Sequence, residues 1–348
     1  MTNTREIGMQ APMLPADTLL SVRNLQTHFF SREGTVRAVD GVSFDVKQGE
    51  ILGIAGESGC GKSVTSQSIL RILPKNGDIV GGEILFNYEN QMVDLAAEDP
   101  DGGILRGIRG KEIAMIFQEP MTAFSPVHTI GNQIIETIRI HQTVTKEEAR
   151  AQAIEMLRRV GMPNPAQNID QYTFNLSGGM RQRAMVALSL SCQPKLLIAD
   201  EPTTAVDVTI QAQMLDLLRE IQADLGMAII MITHDLGVIA ELTDRVMIMY
   251  LGKEVEYGTV EDVFHRPQHP YTRGLLASIP KMEPGRVEIN PIEGSVPSPY
   301  AMPTGCKFHP RCPDYIAGVC EKRDPPLTEI SPGHTASCYL YGGREDLA

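Results

Sequence analysis

No stretch of this chain approaches the ~20 consecutive apolar residues that a bilayer-spanning helix needs. Its longest clean apolar runs, such as residues 228–232, are strand-sized, so the chain is not expected to cross a membrane by itself. Positive charge is scarce too: 31 Lys and Arg stand against 43 Asp and Glu, a formal net charge of −12. The surface as a whole should repel a phosphate backbone, and no nucleic-acid partner is expected. The first residues carry Arg5 ahead of Glu6 and no apolar run like that of a signal peptide. This predicts a cytoplasmic chain, with residues 1–18 as a loose leader. No internal repeat is visible. Cysteine is sparse, six in 348 residues, and in a reducing compartment these are thiols or metal ligands rather than disulfides. Four of them, Cys306, Cys312, Cys320 and Cys338, crowd the C-terminal end.

What is present is the composition of a soluble globular protein, long enough for a large α/β domain with an appendage. Residues 19–29 and 36–46 alternate enough to be strands joined by a turn at Ser31, Arg32, Glu33 and Gly34, which predicts an antiparallel lead-in sheet. Residues 51–55, 196–199, 228–232 and 246–250 are short, almost wholly apolar runs separated by helical stretches. That pattern predicts a parallel sheet buried on both faces. Between Gln118 and Leu176 the character turns helical. It is clearest where Thr145 and Glu148 form a capping box ahead of Ala149, Ala153, Met156, Leu157 and Val160, a helix ended by Gly161. This insert, about 119–180, is expected to lie outside the sheet as a helical subdomain. Residues 267–303 are dense in proline and read as an irregular connector.

Gly56-Glu57-Ser58-Gly59-Cys60-Gly61-Lys62-Ser63 fits the phosphate-loop pattern, directly after an apolar strand and before a helix expected over 64–73. The glycines let backbone N–H groups wrap phosphates, the helix N-terminus favours their charge, Lys62 reaches the outer phosphates and the Ser63 hydroxyl can ligate Mg²⁺. Cys60 is read as a tolerated small residue, not a nucleophile. Asp200 and Glu201 end another apolar strand; the first suits Mg²⁺ binding and the second the activation of water. Taken alone, such acids are as readily the place where the surface begins. Ser177, Gly178 and Gly179 suit a helix cap with backbone open to an anion. Their distance from the phosphate loop, across the whole helical insert, points to the nucleotide of a second subunit.

Together these residues resemble the ATP-binding cassette (ABC) family, and more closely the ATPase subunits of bacterial oligopeptide and dipeptide importers, over about 19–338. The resemblance implies a P-loop NTPase fold of class α/β: an ABC nucleotide-binding domain over 19–266 with an antiparallel β subdomain, the helical subdomain and a small cysteine-rich C-terminal appendage over 267–348. It implies that Gly56, Ser58, Gly59, Cys60, Gly61, Lys62, Ser63 and Val64 contact ATP. In the same way Phe29, or failing that Phe30, stacks on adenine. Gln118 senses Mg²⁺ and the transporter, Asp207 crosses the dimer, and His234 contacts the terminal phosphate. Met180 stands where many members have glutamine, as is common in the peptide branch. The segment from Glu119 to Pro126 departs from the usual peptide-branch pattern where it should face the membrane partner.

The implied function is ATP hydrolysis driving solute uptake at the cytoplasmic face of the membrane. Its implied partners are a second ABC ATPase, related rather than identical, two integral membrane permease subunits and an extracytoplasmic solute-binding protein. A soluble ABC ATPase acting on nucleic acid, ribosomes or iron–sulfur assembly is the alternative. It would carry two cassettes or a coiled-coil insertion, and neither is seen. For the tail, four thiols can hold zinc or an iron–sulfur cluster, or stay unligated; their gaps of five, seven and seventeen residues lack C-x₂-C pairs. The family tail implies a [4Fe–4S] cluster, which would staple a segment too short to fold alone. Cys192 reads as a core residue.

Overall fold

The computed structural model describes residues 14–118, 124–202, 208–279, 281–283, 286–288 and 291–343. Asp207 and most of the segment from Glu119 to Pro126 lie outside them, as do residues 1–13 of the leader, whose last residue, Thr18, already belongs to the first strand.

The lead-in strands form as the alternation predicts. β1 (Thr18–Ser31) pairs antiparallel with β2 (Gly34–Lys47) through the short turn at Arg32 and Glu33, and on its other side with β4 (Gly77–Tyr88), which carries β5 (Gln91–Asp94). The second sheet has eight strands. β3 (Ile51–Ala55), β6 (Ile113–Ile116), β7 (Leu196–Asp200), β8 (Ala228–Thr233) and β9 (Arg245–Tyr250) run parallel in the order β9-β3-β8-β7-β6. β10 (Lys253–Thr259) turns back antiparallel on β9, and β14 (His334–Ser337) and β13 (Leu327–Ser331) complete the edge.

Nearly every residue of β3, β6, β7, β8 and β9 is buried because the sheet is covered on both faces. Leu52, Ile54, Ile198, Ile230 and Met247 meet the antiparallel sheet through Leu20, Val42 and Phe86. Their neighbours Ile51, Ala55, Leu197, Ile229 and Ile248 face the other way, onto the helices and the C-terminal region. The period of two thus divides one apolar run between two cores.

The insert is helical. Thr129 caps Ile130–His141, and Thr145 and Glu148 form the predicted capping box on Lys146–Arg159; Gly161 ends that helix at φ 71°. Ile134, Ile138, Ala149, Ala153 and Leu157 bury their apolar faces against the helix Gly178–Leu190.

Three expectations are corrected. The proline-dense connector contains a helix, Pro270–Ala277, and the hairpin β11 (Lys281–Glu283) with β12 (Arg286–Glu288). Pro270 stands in the first helical turn, where its missing N–H costs nothing. Nor is the tail a separate module: β13 and β14 extend the main sheet, and Phe308 and Tyr339 are each 1% exposed. Cys192 lies just past Gly178–Leu190 and is half-buried, its thiol 3.8 Å from the Thr137 carbonyl oxygen.

Candidate nucleotide site and cysteine tail

β3 ends at Ala55, and six residues turn the chain into the helix Lys62–Ile69, shorter than the predicted 64–73. Gly56 and Gly61 have φ of 154° and 106°. A Cβ would sit 2.2 Å from the Met249 carbonyl oxygen at Gly56, and 2.3 Å from that of Ala38 at Gly61. Close backbone approach therefore demands glycine at both. Gly59 has no atom within 4 Å of its would-be Cβ, and it and Ser58 face open space. The Lys62 ammonium donates to the carbonyls of Gly56 at 2.7 Å and Glu57 at 3.2 Å. The Cys60 thiol is buried and held up in pKa by burial, and its N–H donates to the Glu57 carbonyl at 3.3 Å.

The Ser63 hydroxyl donates to Asp200 Oδ1 at 3.0 Å, joining the helix start to the end of β7. Burial raises the pKa of the Asp200 carboxyl; the bond from Ser63 opposes this, the charge of Glu201 adds to it, and Lys62 opposes it again. A hydroxyl and a carboxylate side by side in a desolvated site form a hard oxygen pair, and a divalent cation would hold the carboxylate ionised there. The pair thus fits Mg²⁺.

Glu201 sits in the left-handed region, φ 48°, and its N–H donates to the Ile232 carbonyl at 2.8 Å. A non-glycine held there needs a reason. Its carboxylate accepts from Gln118 Nε2 at 3.1 Å and lies 3.2 Å from His234 Nδ1. Gln118 follows β6, Glu201 follows β7 and His234 follows β8, while the phosphate loop follows β3. In the sheet these four strands are consecutive, so residues more than a hundred positions apart meet beyond one row of carboxyl ends. The Gln118 amide nitrogen reaches Glu201, whereas the Ser63–Asp200 pair forms without it.

The Ser-Gly-Gly turn is not part of this set. Ser177 caps its helix by accepting from the Met180 N–H at 3.3 Å, and Ser177 and Gly178 are exposed. Phe29 is half-buried with its ring against Gly77, while Phe30 is exposed. Thr27 Oγ1 lies 2.8 Å from Ser68 Oγ, so that face of β1 turns to the helix Lys62–Ile69. Phe29 shares the face, two residues on; Phe30 pairs with His28 on the other.

Cys306, Cys312, Cys320 and Cys338 all line one small cavity with His269 and Phe308. Burial pushes the Cys306 thiol up to about 11 and the Cys312 thiol up to about 12, with neighbouring cysteines adding to both. Among the described residues no group of three or more His, Cys, Asp or Glu is placed to hold a metal ion. The single-zinc alternative therefore finds no tetrahedral ligand set, and a metal-bound tail is not part of what the geometry establishes.

A family model described as ABC transporter matches residues 39–204, and one described as the C-terminal region of oligopeptide/dipeptide transporters matches residues 255–320. A probable peptide ABC transporter ATP-binding protein of Sinorhizobium fredii is 52% identical over 326 residues, 93% of this chain and 95% of that one. The chain belongs to the ABC transporter family. A dipeptide transport ATP-binding protein of Bacillus subtilis is 47% identical over 333 residues, covering 95% of this ABC ATPase and 97% of its own length. Among solved structures, the ATP-binding cassette MJ0796 bound to ADP and Pi matches with a TM-score of 0.61 at 24% identity, over 70% of this chain and 99% of that one, and supports the fold alone. The cbiO1 protein of Clostridium perfringens matches with a TM-score of 0.59 at 29% identity, over 72% and 92%.

Sequence reasoning missed one element of the site. Glu57, inside the phosphate loop, is gripped by Arg311 of the C-terminal region. An unpaired acid among the phosphate-binding residues was the available signal.

Proposed function

We propose that this ABC ATPase powers the import of di- or oligopeptides as the peripheral, ATP-hydrolysing subunit on the cytoplasmic face of a membrane. A related second cassette, two integral membrane permease subunits and an extracytoplasmic solute-binding protein complete the machine. The observation that carries the reading is the meeting of Gln118, Glu201 and His234 beside a loop whose backbone admits only glycine at 56 and 61. The peptide class rests on relatives named for peptide and dipeptide transport that match along nearly the whole chain, tail included.

Lys62 and the loop amides bind the phosphates, and Phe29 offers the face for the base. Ser63 and Asp200 would hold Mg²⁺, with the Gln118 side-chain oxygen as a further donor, and the ion would supply positive charge against the phosphate oxygens. Glu201 accepts a proton from the attacking water. Gln118 and His234 hold its carboxylate from two sides, which fixes the lone pair that must face the water. Because His234 spends Nδ1 on Glu201, Nε2 is the nitrogen left for the terminal phosphate. The exposed Ser177 and Gly178, with the half-buried Gly179, serve the partner's nucleotide, and Asp207 belongs to the same crossing.

The four thiols round one cavity would be the ligands of the [4Fe–4S] cluster that the family tail implies. Iron and acid-labile sulfide assays on anaerobically purified protein should give about four of each per chain; none of either would dismiss it. Reconstitution with the permease and binding-protein partners in vesicles should show ATP-dependent uptake of short peptides. Uptake of sugars alone would overturn the substrate class.

A further inference from the structure

Arg311 lies in the short turn His309–Arg311, between Cys306 and Cys312 in the chain. Its side chain is 4% exposed and grips the Glu57 carboxylate with both arms, Nη1 to Oε2 at 2.7 Å and Nη2 to Oε1 at 3.1 Å. Two further donors are also used. Nε donates to the Glu293 carbonyl at 3.1 Å and Nη1 reaches the Tyr250 hydroxyl at 3.3 Å, and the guanidinium carbon lies 5.9 Å and 6.0 Å from the ring centroids of Tyr250 and Phe308. A fork fixed on all sides can hold a carboxylate in one orientation.

Glu57 is held through its backbone as well. Its N–H donates to the Tyr271 hydroxyl at 2.9 Å and its carbonyl accepts from Lys62, so Arg311, Glu57 and the phosphate-binding lysine form one connected set. A bare carboxylate in this loop would repel a polyanion that the loop is built to attract.

We infer that Arg311 is a positioning and counter-charge residue of the nucleotide site, through which the C-terminal region sets the affinity for ATP. The inference rests on the reading of the phosphate loop as that site. Removing one member of a desolvated pair leaves the other uncompensated, whereas removing both does not. The variants therefore differ in sign.

The test is titration of full-length protein with a fluorescent ATP analogue, with the folded fraction followed by circular dichroism. Arg311→Gln should raise the Kd about tenfold or more. Glu57→Gln, which removes a negative charge from the loop and leaves Arg311, should lower it. The double variant should return to within about threefold of the unaltered protein. Arg311→Lys, which keeps the charge and loses the fork, should fall between, and it reports on the same pair if Arg311→Gln folds poorly. A double variant that binds as weakly as Arg311→Gln, or a Glu57→Gln that itself binds about tenfold more weakly, would reduce Arg311 to packing and overturn the inference. Lys62→Ala separates the two readings. If it abolishes binding while Arg311→Gln does nothing, only the counter-charge fails; if it binds normally, the nucleotide-site assignment fails.

Discussion

His269 offers a test of how the C-terminal region is fastened. It caps the helix Pro270–Ala277, its Nδ1 accepting from the Tyr271 N–H at 3.1 Å, while its own N–H donates to Glu256 Oε2 at 2.8 Å. The side chain is buried, and burial, helped by the charge of Arg273, lowers its pKa to about 3. The folded protein thus keeps this imidazole neutral, while the unfolded chain protonates it near pH 6.5. Below that pH the unfolded state binds the extra proton, so this contribution to stability is intact above about 6.5 and is lost as pH falls toward 3. For those two values the loss between pH 7 and pH 5 is about 2 kcal/mol. At about 2 cal/mol/K of unfolding entropy per residue, that is roughly 3 °C in Tm for a chain of this length. His269→Asn keeps a capping acceptor and removes the titration. Thermal unfolding of both proteins at pH 7, 6 and 5 should show the unaltered protein losing about 3 °C more than the variant across that range. Parallel pH profiles would refute the claim that His269 is buried neutral.

Glu201→Gln preserves the shape that meets Gln118 and His234, so ATP should bind within a few-fold of normal while steady-state hydrolysis drops about 10²- to 10⁴-fold; near-normal turnover would remove Glu201 as the base. Gly61→Ala must place a methyl against the Ala38 carbonyl in a backbone region costing about 1–2 kcal/mol for other residues, and ATP titration should show binding lost; unchanged affinity would mean the loop can relax. Phe308→Ala opens a void beside the rings of Tyr250, Tyr271 and His269. Denaturant unfolding should report a loss of about 3–5 kcal/mol, and a loss well under that range would show that the tail packs loosely.

How much of this was legible in the sequence depends on separation along the chain. The phosphate loop is contiguous, its glycines and lysine fixed by local geometry, and the capping box from Thr145 to Glu148 spans four residues; both read directly. Four of the five parallel strands were legible because burial on both faces favours unbroken apolar runs, while β6, only four residues long, was not. Their order was not. Nothing in 113–116, 196–200 and 228–233 says that these strands lie side by side, so the meeting of Gln118, Glu201 and His234 could only be implied by resemblance. β13 and β14 were invisible because Leu327–Ser331 and His334–Ser337 carry few apolar residues to alternate; the edge of an existing sheet, not their own pattern, makes them strands. Prolines hid the helix Pro270–Ala277, since the same residue that breaks a helix inside can begin one. Arg311 and Glu57 stand 254 positions apart, and no periodicity connects them.

The placement of the C-terminal region bears on which side of the phosphate loop remains for a partner. Tyr250 ends β9, the neighbour of β3, and packs on Tyr271 and Phe308 at ring distances of 4.6 Å and 5.3 Å. From that cluster Tyr271 reaches the Glu57 N–H and Arg311 its carboxylate, so the chain's own tail occupies the Glu57 side. The Gly56 and Gly61 sides are closed by the backbone of Met249 and Ala38, and the Lys62 side by the turn into the helix. What stays open is Ser58 and Gly59. An outside group that completes the site would approach over those two residues, and the donor we propose on this chain is the exposed turn at Ser177 and Gly178. If the second cassette is related but different, Ser177→Ala should slow hydrolysis at the partner's nucleotide and spare this chain's own. That is measurable in a pair where only one subunit carries an intact base, and the reverse pattern would overturn the reciprocal arrangement.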